Sequence, residues 1–175
     1  MLASRCEKIA VCSWKLRAKL RYYIGRPREI TPELLESDYE VMSFTKNTKD
    51  HRMFQAAEAW HPGFMNTFDK ILGAIGVKRP GEIKIPVYQN HFSCRTTIYK
   101  DYVSTYLVPA MEAITNEPEI NELAMKDSKY SDLTNQKAEN LKEKLGIGYY
   151  PMTPFLLERL FSVYCQNRGI KISHL

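Results

Sequence analysis

The sequence predicts an α/β fold in which several helices flank a small mixed sheet. Of the 175 residues, 44% are hydrophobic and 26% are charged, which are ordinary globular values and exclude a disordered, collagenous or wholly coiled-coil chain. Short apolar, β-branched runs alternate with longer segments of helical periodicity. No internal repeat and no long linker divides the chain, so we expect a single domain over residues 1–175.

The predicted elements have clear end signals. Strands are expected at residues 8–13, 39–44, 87–92 and 170–172, and helices at residues 31–36, 47–60, 62–75, 97–113, 136–145 and 151–166. Thr31 and Pro32 predict the N-cap and the first position of the first helix. Trp60 is placed on the inner face of its helix. Pro109 falls inside the helix at residues 97–113 and should kink or divide it.

Two segments keep more than one interpretation. Residues 14–24 are either a basic amphipathic helix suited to a membrane surface or a domain helix or loop with a solvated basic face. Residues 116–135 form a polar, acidic insertion with weak periodicity. This insertion is either a short helix followed by a loop or a mobile stretch.

The net charge of +5 is concentrated at the front of the chain. Residues 1–30 carry eight basic and two acidic side chains, a local charge of +6, which leaves −1 for the remainder. An anionic partner is therefore expected at this basic segment first. The four cysteines are scattered without zinc-ligand spacing, which predicts reduced thiols. With no apolar run of membrane-spanning length and no signal-peptide core, the sequence predicts a cytoplasmic location.

Common catalytic motifs are absent from the sequence. There is no GxGxxG or GxxxxGK[ST] phosphate cradle, no GxSxG elbow and no HExxH helix. One unusual cluster is EAWHPG, in which Glu58, Trp60 and His61 lie where one helix ends and the next begins. His61 is a candidate base or phosphate ligand, and Trp60 is a candidate stacking surface. In the alternative interpretation, His61 caps the next helix and Trp60 fills the core.

Two further clusters combine polar groups with apolar elements. Asn90 and His91 lie at the end of a predicted strand, where α/β sheets place groups that contact ligands; alternatively they bond to neighbouring loops. Glu158 and Arg159 lie in the middle of the most apolar helix. A buried charge is costly there unless it is paired or functional, and the alternative is a structural ion pair with one group reaching solvent.

Taken in order, these clusters resemble a group of bacterial proteins associated with glycosyl transfer in surface-polysaccharide and lipopolysaccharide gene sets. The resemblance covers about residues 8–168 and rests on SWKL, YEV, AEAWHPGF, NHF followed by IYKDYV, and PFLLERLFSVY. Members of the group often carry a W-x-GE-x-HPG element, an N-x-F element before an aromatic helix, and a terminal ERLFS helix.

The resemblance implies a fold of the GT-A glycosyltransferase type, or a relative of it, that uses a nucleotide-sugar donor. The acceptor would be a polysaccharide or a lipid-linked glycan, reached through peripheral contact with the inner face of the membrane. Nucleic acid is not expected as a partner. The sugar nucleotide would lie at the C-terminal ends of the strands, with a Mn²⁺ or Mg²⁺ ion held by a D-x-D pair. This chain has Asp38-Tyr39-Glu40 at the matching strand, so Asp38 and Glu40 are the metal candidates.

The resemblance also carries site residues over to this chain. Glu58, His61 and Glu158 are the catalytic candidates, with His61 or Glu158 as the base on the acceptor hydroxyl. Lys15 and Arg17 would offset the charge of the diphosphate leaving group. The remaining candidates for substrate binding are Trp14, Trp60, Asn90, His91 and Arg159.

The sequence departs from the group in one respect. It lacks the N-terminal strand–helix unit that such enzymes use for the nucleotide, which fits a short or N-terminally truncated member. Three hypotheses therefore stay open: an active transferase, a non-catalytic remnant or partner subunit whose sheet is completed by a second chain, and a module that binds an anionic surface through residues 1–30.

Overall fold

The computed structural model describes residues 7–12, 31–44, 52–87, 90–130 and 134–174. It confirms the predicted α/β class, with a small mixed sheet and a largely helical remainder. The chain divides into two compact units. The first contains Met1–His51, Ile83–Val108 and Glu158–Leu175, and the second contains Arg52–Glu82 and Pro109–Leu157.

The sheet belongs to the first unit. Its strands are β1 (Lys8–Val11), β2 (Val41–Ser43), β3 (Phe92–Arg95) and β4 (Ile172–His174), in the spatial order β1-β3-β2-β4. Strand β3 is antiparallel to both of its neighbours, and β2 is parallel to β4. Cys94 lies opposite both Ile9 and Val41, and Val41 lies opposite Ile172. One row of apolar side chains therefore crosses all four strands on the same face.

The third strand starts later than the sequence predicts. A strand is expected at residues 87–92, but β3 covers Phe92–Arg95. Asn90 has a φ of 52°, in the left-handed region, which is incompatible with an extended run into His91. Val87 bonds to α8 instead of to a strand, because its N–H donates to Ser162 Oγ at 2.9 Å and its carbonyl accepts from that hydroxyl at 3.1 Å.

The helices largely match the predicted segments. They are α1 (Pro32–Glu36), α2 (Met53–Trp60), α3 (Phe64–Ala74), α4 (Thr96–Tyr102), α5 (Val108–Asn116), α6 (Pro118–Ala124), α7 (Asn135–Leu145) and α8 (Thr153–Arg168). The predicted N-cap of α1 is confirmed, since Thr31 Oγ1 accepts from Leu34 N. In its described part, the acidic insertion takes the form of the short helix α6 followed by irregular chain to residue 130, as one of its two interpretations predicts.

Pro109 divides its helix as predicted. A π-helical turn, Val103–Leu107, separates α4 from α5, and Val108 N donates across it to Val103 O. In a regular α-helix the proline ring would meet the carbonyl of Thr105 and leave it without its N–H donor. The wider turn therefore ends two residues before Pro109, the residue that an α-helix accommodates least well.

Aromatic rings form much of the core of each unit. In the first unit, Phe161 of α8 stacks on Phe92 of β3, and Tyr102 of α4 meets Phe161 edge-on. In the second unit, Phe68 packs against Phe54 and Phe64, with ring centroids 5.9 and 5.2 Å apart. Within the described residues, no helix combines the length and the apolar character that crossing a membrane requires.

Candidate functional site

The junction between α2 and α3, in the second unit, holds the first predicted cluster. The Glu58 carboxylate accepts hydrogen bonds from Gly63 N at 2.8 Å and from Met65 N at 2.7 Å. These N–H groups belong to the start of α3, where helical partners are missing and the helix dipole favours a negative charge. Gly63 has a φ of 89°, which a residue without a Cβ adopts at little cost. Glu58 therefore stabilises the start of α3.

His61 is buried beside this junction, with 3% of its surface exposed. Its ring stacks on Phe155 with centroids 4.0 Å apart, and its Nδ1 lies 2.9 Å from Ser128 O. A carbonyl oxygen only accepts, so Nδ1 carries the hydrogen and donates it. This nitrogen is thus committed to the fold. The interpretation that His61 caps the next helix is not met, because Gly63 occupies the N-cap position and His61 contributes only its carbonyl, which accepts from Phe64 N.

Trp60 departs from the predicted packing. The sequence places Trp60 on the inner face of α2 and so predicts that it is buried. In the structure, 62% of its surface is exposed. The helix ends at Trp60, and the following residue, His61, is the one that packs inward. The sequence interpretation in which Trp60 fills the core is therefore wrong, and its indole is available for contact with a ligand.

Asn90 and His91 lie immediately before β3, at the start of a strand and not at its end as predicted. Asn90 is half-buried and occupies the left-handed turn, whereas His91 is fully buried. The His91 carbonyl accepts a hydrogen bond from Phe44 N at 2.9 Å. Of the two, Asn90 is the one with a side chain partly open to solvent.

Glu158 and Arg159 are half-buried on α8. Arg159 Nη1 lies 3.7 Å from Glu158 Oε2, and the side chains are 12% and 20% exposed for the arginine and the glutamate. Among the described residues, no donor forms a hydrogen bond to the Glu158 carboxylate. The two charges therefore pair with each other and both side chains are mostly buried, whereas the predicted alternative has one group reaching solvent. The Glu158 carboxylate is held by this one ion pair, in contrast to Glu58, which accepts two backbone hydrogen bonds.

The metal candidates are engaged with other groups. Arg95 Nη2 donates to Asp38 Oδ1 at 3.0 Å, and Lys171 N donates to Glu40 Oε2 at 2.9 Å. The described residues contain no group of three or more His, Cys, Asp or Glu side chains that could hold a metal ion. Asp38 is thus paired with a guanidinium, and one oxygen of Glu40 with a backbone N–H. Trp14, Lys15 and Arg17 lie outside the described residues, as does nearly all of the basic segment.

The sequence does not predict a polar network among the tyrosines. Tyr164 OH donates to Asp101 Oδ2 at 2.9 Å, and Arg168 Nη2 lies 3.4 Å from the same oxygen. Burial, followed by the nearby Asp101, raises the pKa of Tyr164 above its ordinary value, so its hydroxyl stays a donor. The one sequence signal is the one-turn spacing of Tyr164 and Arg168, and it does not identify Asp101 as the partner.

Two of the sequence segments that carry the family resemblance lie in contact in the structure. In the first unit, the NHF segment and the ERLFS segment meet through Phe92 and Phe161, whose ring centroids are 3.9 Å apart. The third element, HPG, lies in the second unit, with Glu58 and His61. No protein-family model, no curated protein and no solved structure matches this chain.

Proposed function

We propose that this chain is a glycosyltransferase-like protein that transfers a sugar from a nucleotide-sugar donor to a polysaccharide or lipid-linked acceptor, on a fold related to the GT-A type. The observation that carries the proposal is the stacking of Phe92 on Phe161. It fixes the NHF segment against the ERLFS helix, although 69 positions separate the two rings in the sequence. Both elements belong to the resemblance on which the proposal rests.

Polar residues accompany this aromatic contact on both segments. Asn90 comes two residues before Phe92, and Glu158 comes one helical turn before Phe161. Residues three apart lie on neighbouring parts of a helix surface. The half-buried Asn90 amide is suited to sugar hydroxyls, and the Glu158 carboxylate is suited to a proton.

Glu158 is the base in the proposed reaction. Its carboxylate takes the proton of the acceptor hydroxyl as the acceptor oxygen bonds to the anomeric carbon of the donor. The bond from that carbon to the diphosphate oxygen breaks, and the diphosphate leaves with the electron pair. Glu158 is favoured over Glu58 and His61 because Glu58 is bonded to two backbone N–H groups and His61 Nδ1 to a carbonyl.

A panel of nucleotide sugars tests the proposal. Thermal unfolding of the full chain is measured with each donor, with and without Mn²⁺, and at least one donor should raise the midpoint. Glu158→Gln should bind that donor normally and lower the transfer rate by about 10²–10⁴-fold, the usual contribution of a positioned acid or base. The matched control is Glu143→Gln, an exposed carboxylate on α7. No stabilisation by any donor would refute the proposal.

A second candidate function is a non-catalytic partner subunit. The observation that favours it is the structural use of Glu58 and His61, two of the three predicted catalytic groups. Strands β1 and β4 are the two outer strands of the sheet, each paired with one strand in the described part of the chain. This function predicts donor binding without turnover and association with a second chain, which sedimentation and an activity assay on the same sample would detect.

A further inference from the structure

We propose that a cavity at the C-terminal end of α8 binds a small phosphomonoester, a phosphate carried on a short carbon body. The cavity has a volume of about 220 Å³ and lies within the first unit. Three segments line it: residues 84–85 on the approach to β3, the last turns of α8, and the turn that leads into β4. None of these residues takes part in the proposed transfer reaction, so the site is independent of it.

Two lysines give the cavity its charge. Lys84 and Lys171 line it from separate segments. In the parts of the chain that the structure describes, neither ammonium forms an ion pair or a hydrogen bond. The Glu40 carboxylate accepts from the backbone N of Lys171 and its charge acts on Cys165, but Glu40 is not part of the lining. Two lysines in the lining of one cavity favour a dianion over a monoanion.

Gln166 adds a third donor in a fixed orientation. Its Oε1 accepts a hydrogen bond from Lys84 N at 3.3 Å, so its amide NH₂ is left as a donor at the cavity. The backbone carbonyls of Cys165 and Gln166 already accept hydrogen bonds, from Ile170 N and Gly169 N respectively. They are therefore not acceptors for the ammonium groups of the lysines. The lysine ammonium groups and the Gln166 amide are therefore hydrogen-bond donors, and a ligand or water provides their acceptors.

The rest of the lining is apolar and uncharged. Ile85 and Ile172 contribute hydrocarbon surface, and Cys165 is fully buried. Burial raises the pKa of the Cys165 thiol, which stays neutral and leaves the lysines as the charged groups of the cavity. A volume of about 220 Å³ is several times the share of one water, roughly 30 Å³. It accommodates a phosphate together with a few carbon atoms, which the isoleucines would contact.

The probe is glycerol 3-phosphate, titrated into the full chain while backbone amide signals are followed by NMR. We expect shifts confined to the amides of Lys84 and of the turn from Gly169 to Ile172. Glycerol should cause none, and inorganic phosphate should bind more weakly because it lacks the carbon body. The dissociation constant should rise with added NaCl, as charge pairing between exposed groups requires.

Two variants and one control make the test specific. Lys84→Ala with Lys171→Ala should weaken binding by about tenfold or more, the usual effect of losing hydrogen bonds to a charged group. Gln166→Glu keeps an acceptor for Lys84 N and replaces the free amide with a negative charge, so it should abolish binding without unfolding the chain. The control pair is Lys142→Ala with Lys144→Ala, on the exposed face of α7.

The outcomes separate this site from the proposed transfer reaction. Unchanged affinity in the double lysine variant, or the absence of shifts at these amides, would overturn the proposal. Displacement of glycerol 3-phosphate by UDP-glucose at lower concentration would overturn it as well, because the cavity would then hold the diphosphate of the donor. Glu158→Gln should leave binding of glycerol 3-phosphate unchanged, whether or not the chain transfers sugar.

Discussion

Phe92 in β3 and Phe161 in α8 stack with ring centroids 3.9 Å apart and ring planes inclined by 9°. They are 1% and 0% exposed. Tyr102 of α4 meets Phe161 edge-on at 4.9 Å, a favourable geometry for aromatic rings. One ring, that of Phe161, thus joins the sheet, α8 and α4 within the first unit.

Removing this ring should destabilise the first unit strongly. Phe161→Ala is expected to lower the free energy of unfolding by about 3–5 kcal/mol, since a cavity replaces a fully buried ring. Phe161→Leu should cost less because it fills part of that volume. Urea unfolding followed by circular dichroism measures both. Leu145→Ala is the control, since Leu145 is 64% exposed, and it should change stability by no more than about 0.5 kcal/mol.

Ser162→Ala tests how the segment before β3 is held. The variant leaves Val87 N–H and C=O without their shared hydroxyl partner in a buried position. We expect a loss of about 1–3 kcal/mol, the desolvation cost of an unsatisfied buried polar group. Faster hydrogen exchange at the Val87 amide would locate the effect. Ser104→Ala removes an exposed hydroxyl that bonds to Asp101 O and should leave that exchange rate unchanged; equal effects of the two variants would contradict this role of Ser162.

The sequence predicts a helix or strand well where the interactions that form it involve residues close together in the chain. Thr31 with Pro32 predicts the start of α1, and Gly146 predicts the end of α7, because caps act within one turn. Strand β3 is misplaced because its position depends on pairing with two distant strands, which the run of residues 87–92 does not encode. Strand boundaries that depend on long-range pairing are therefore the hardest to predict from the sequence.

The candidate site shows the same division. Glu58 and His61 are predicted to lie together because they are three residues apart, and they do. Their hydrogen-bond partners are less accessible: Ser128 is 67 positions from His61, and only the tertiary fold brings its carbonyl to Nδ1. The contact of Tyr164 with Asp101 across 63 positions escapes prediction for the same reason.

Glu58 provides a test that separates a structural role from a catalytic one. Glu58→Ala removes the acceptor of Gly63 N and Met65 N and should lower the free energy of unfolding by about 1–2 kcal/mol, as the loss of a helix cap does. Glu58→Gln keeps one carbonyl acceptor and should cost less. Thermal unfolding and transfer activity are measured on the same preparations. Glu112→Ala, at an exposed position of α5, is the control for removing a carboxylate.

A catalytic role for Glu58 would give the reverse pattern. Glu58→Gln would then abolish transfer while its unfolding midpoint matched that of the wild type. The structural role predicts that activity falls only in proportion to the unfolded fraction. The two variants and the control therefore decide between the predicted catalytic function and the hydrogen bonds that the structure contains.

Cys94 should make the protein sensitive to alkaline pH. It is fully buried in β3, and burial raises the pKa of its thiol from 9.0 to about 12. The unfolded chain therefore loses this proton first, so the stabilisation is complete below pH 9.0 and is lost as the pH rises toward about 12.

In that window one such group lowers the free energy of unfolding by about 1.4 kcal/mol per pH unit. Cys94→Ala should flatten the slope by that amount in urea titrations under reducing conditions. Peptide-resolved alkylation gives an independent measure, since Cys94 should resist iodoacetamide in the native chain and react in denaturant. Equal slopes for the variant and the wild type would show that the thiol ionises as readily in the folded chain as in the unfolded one.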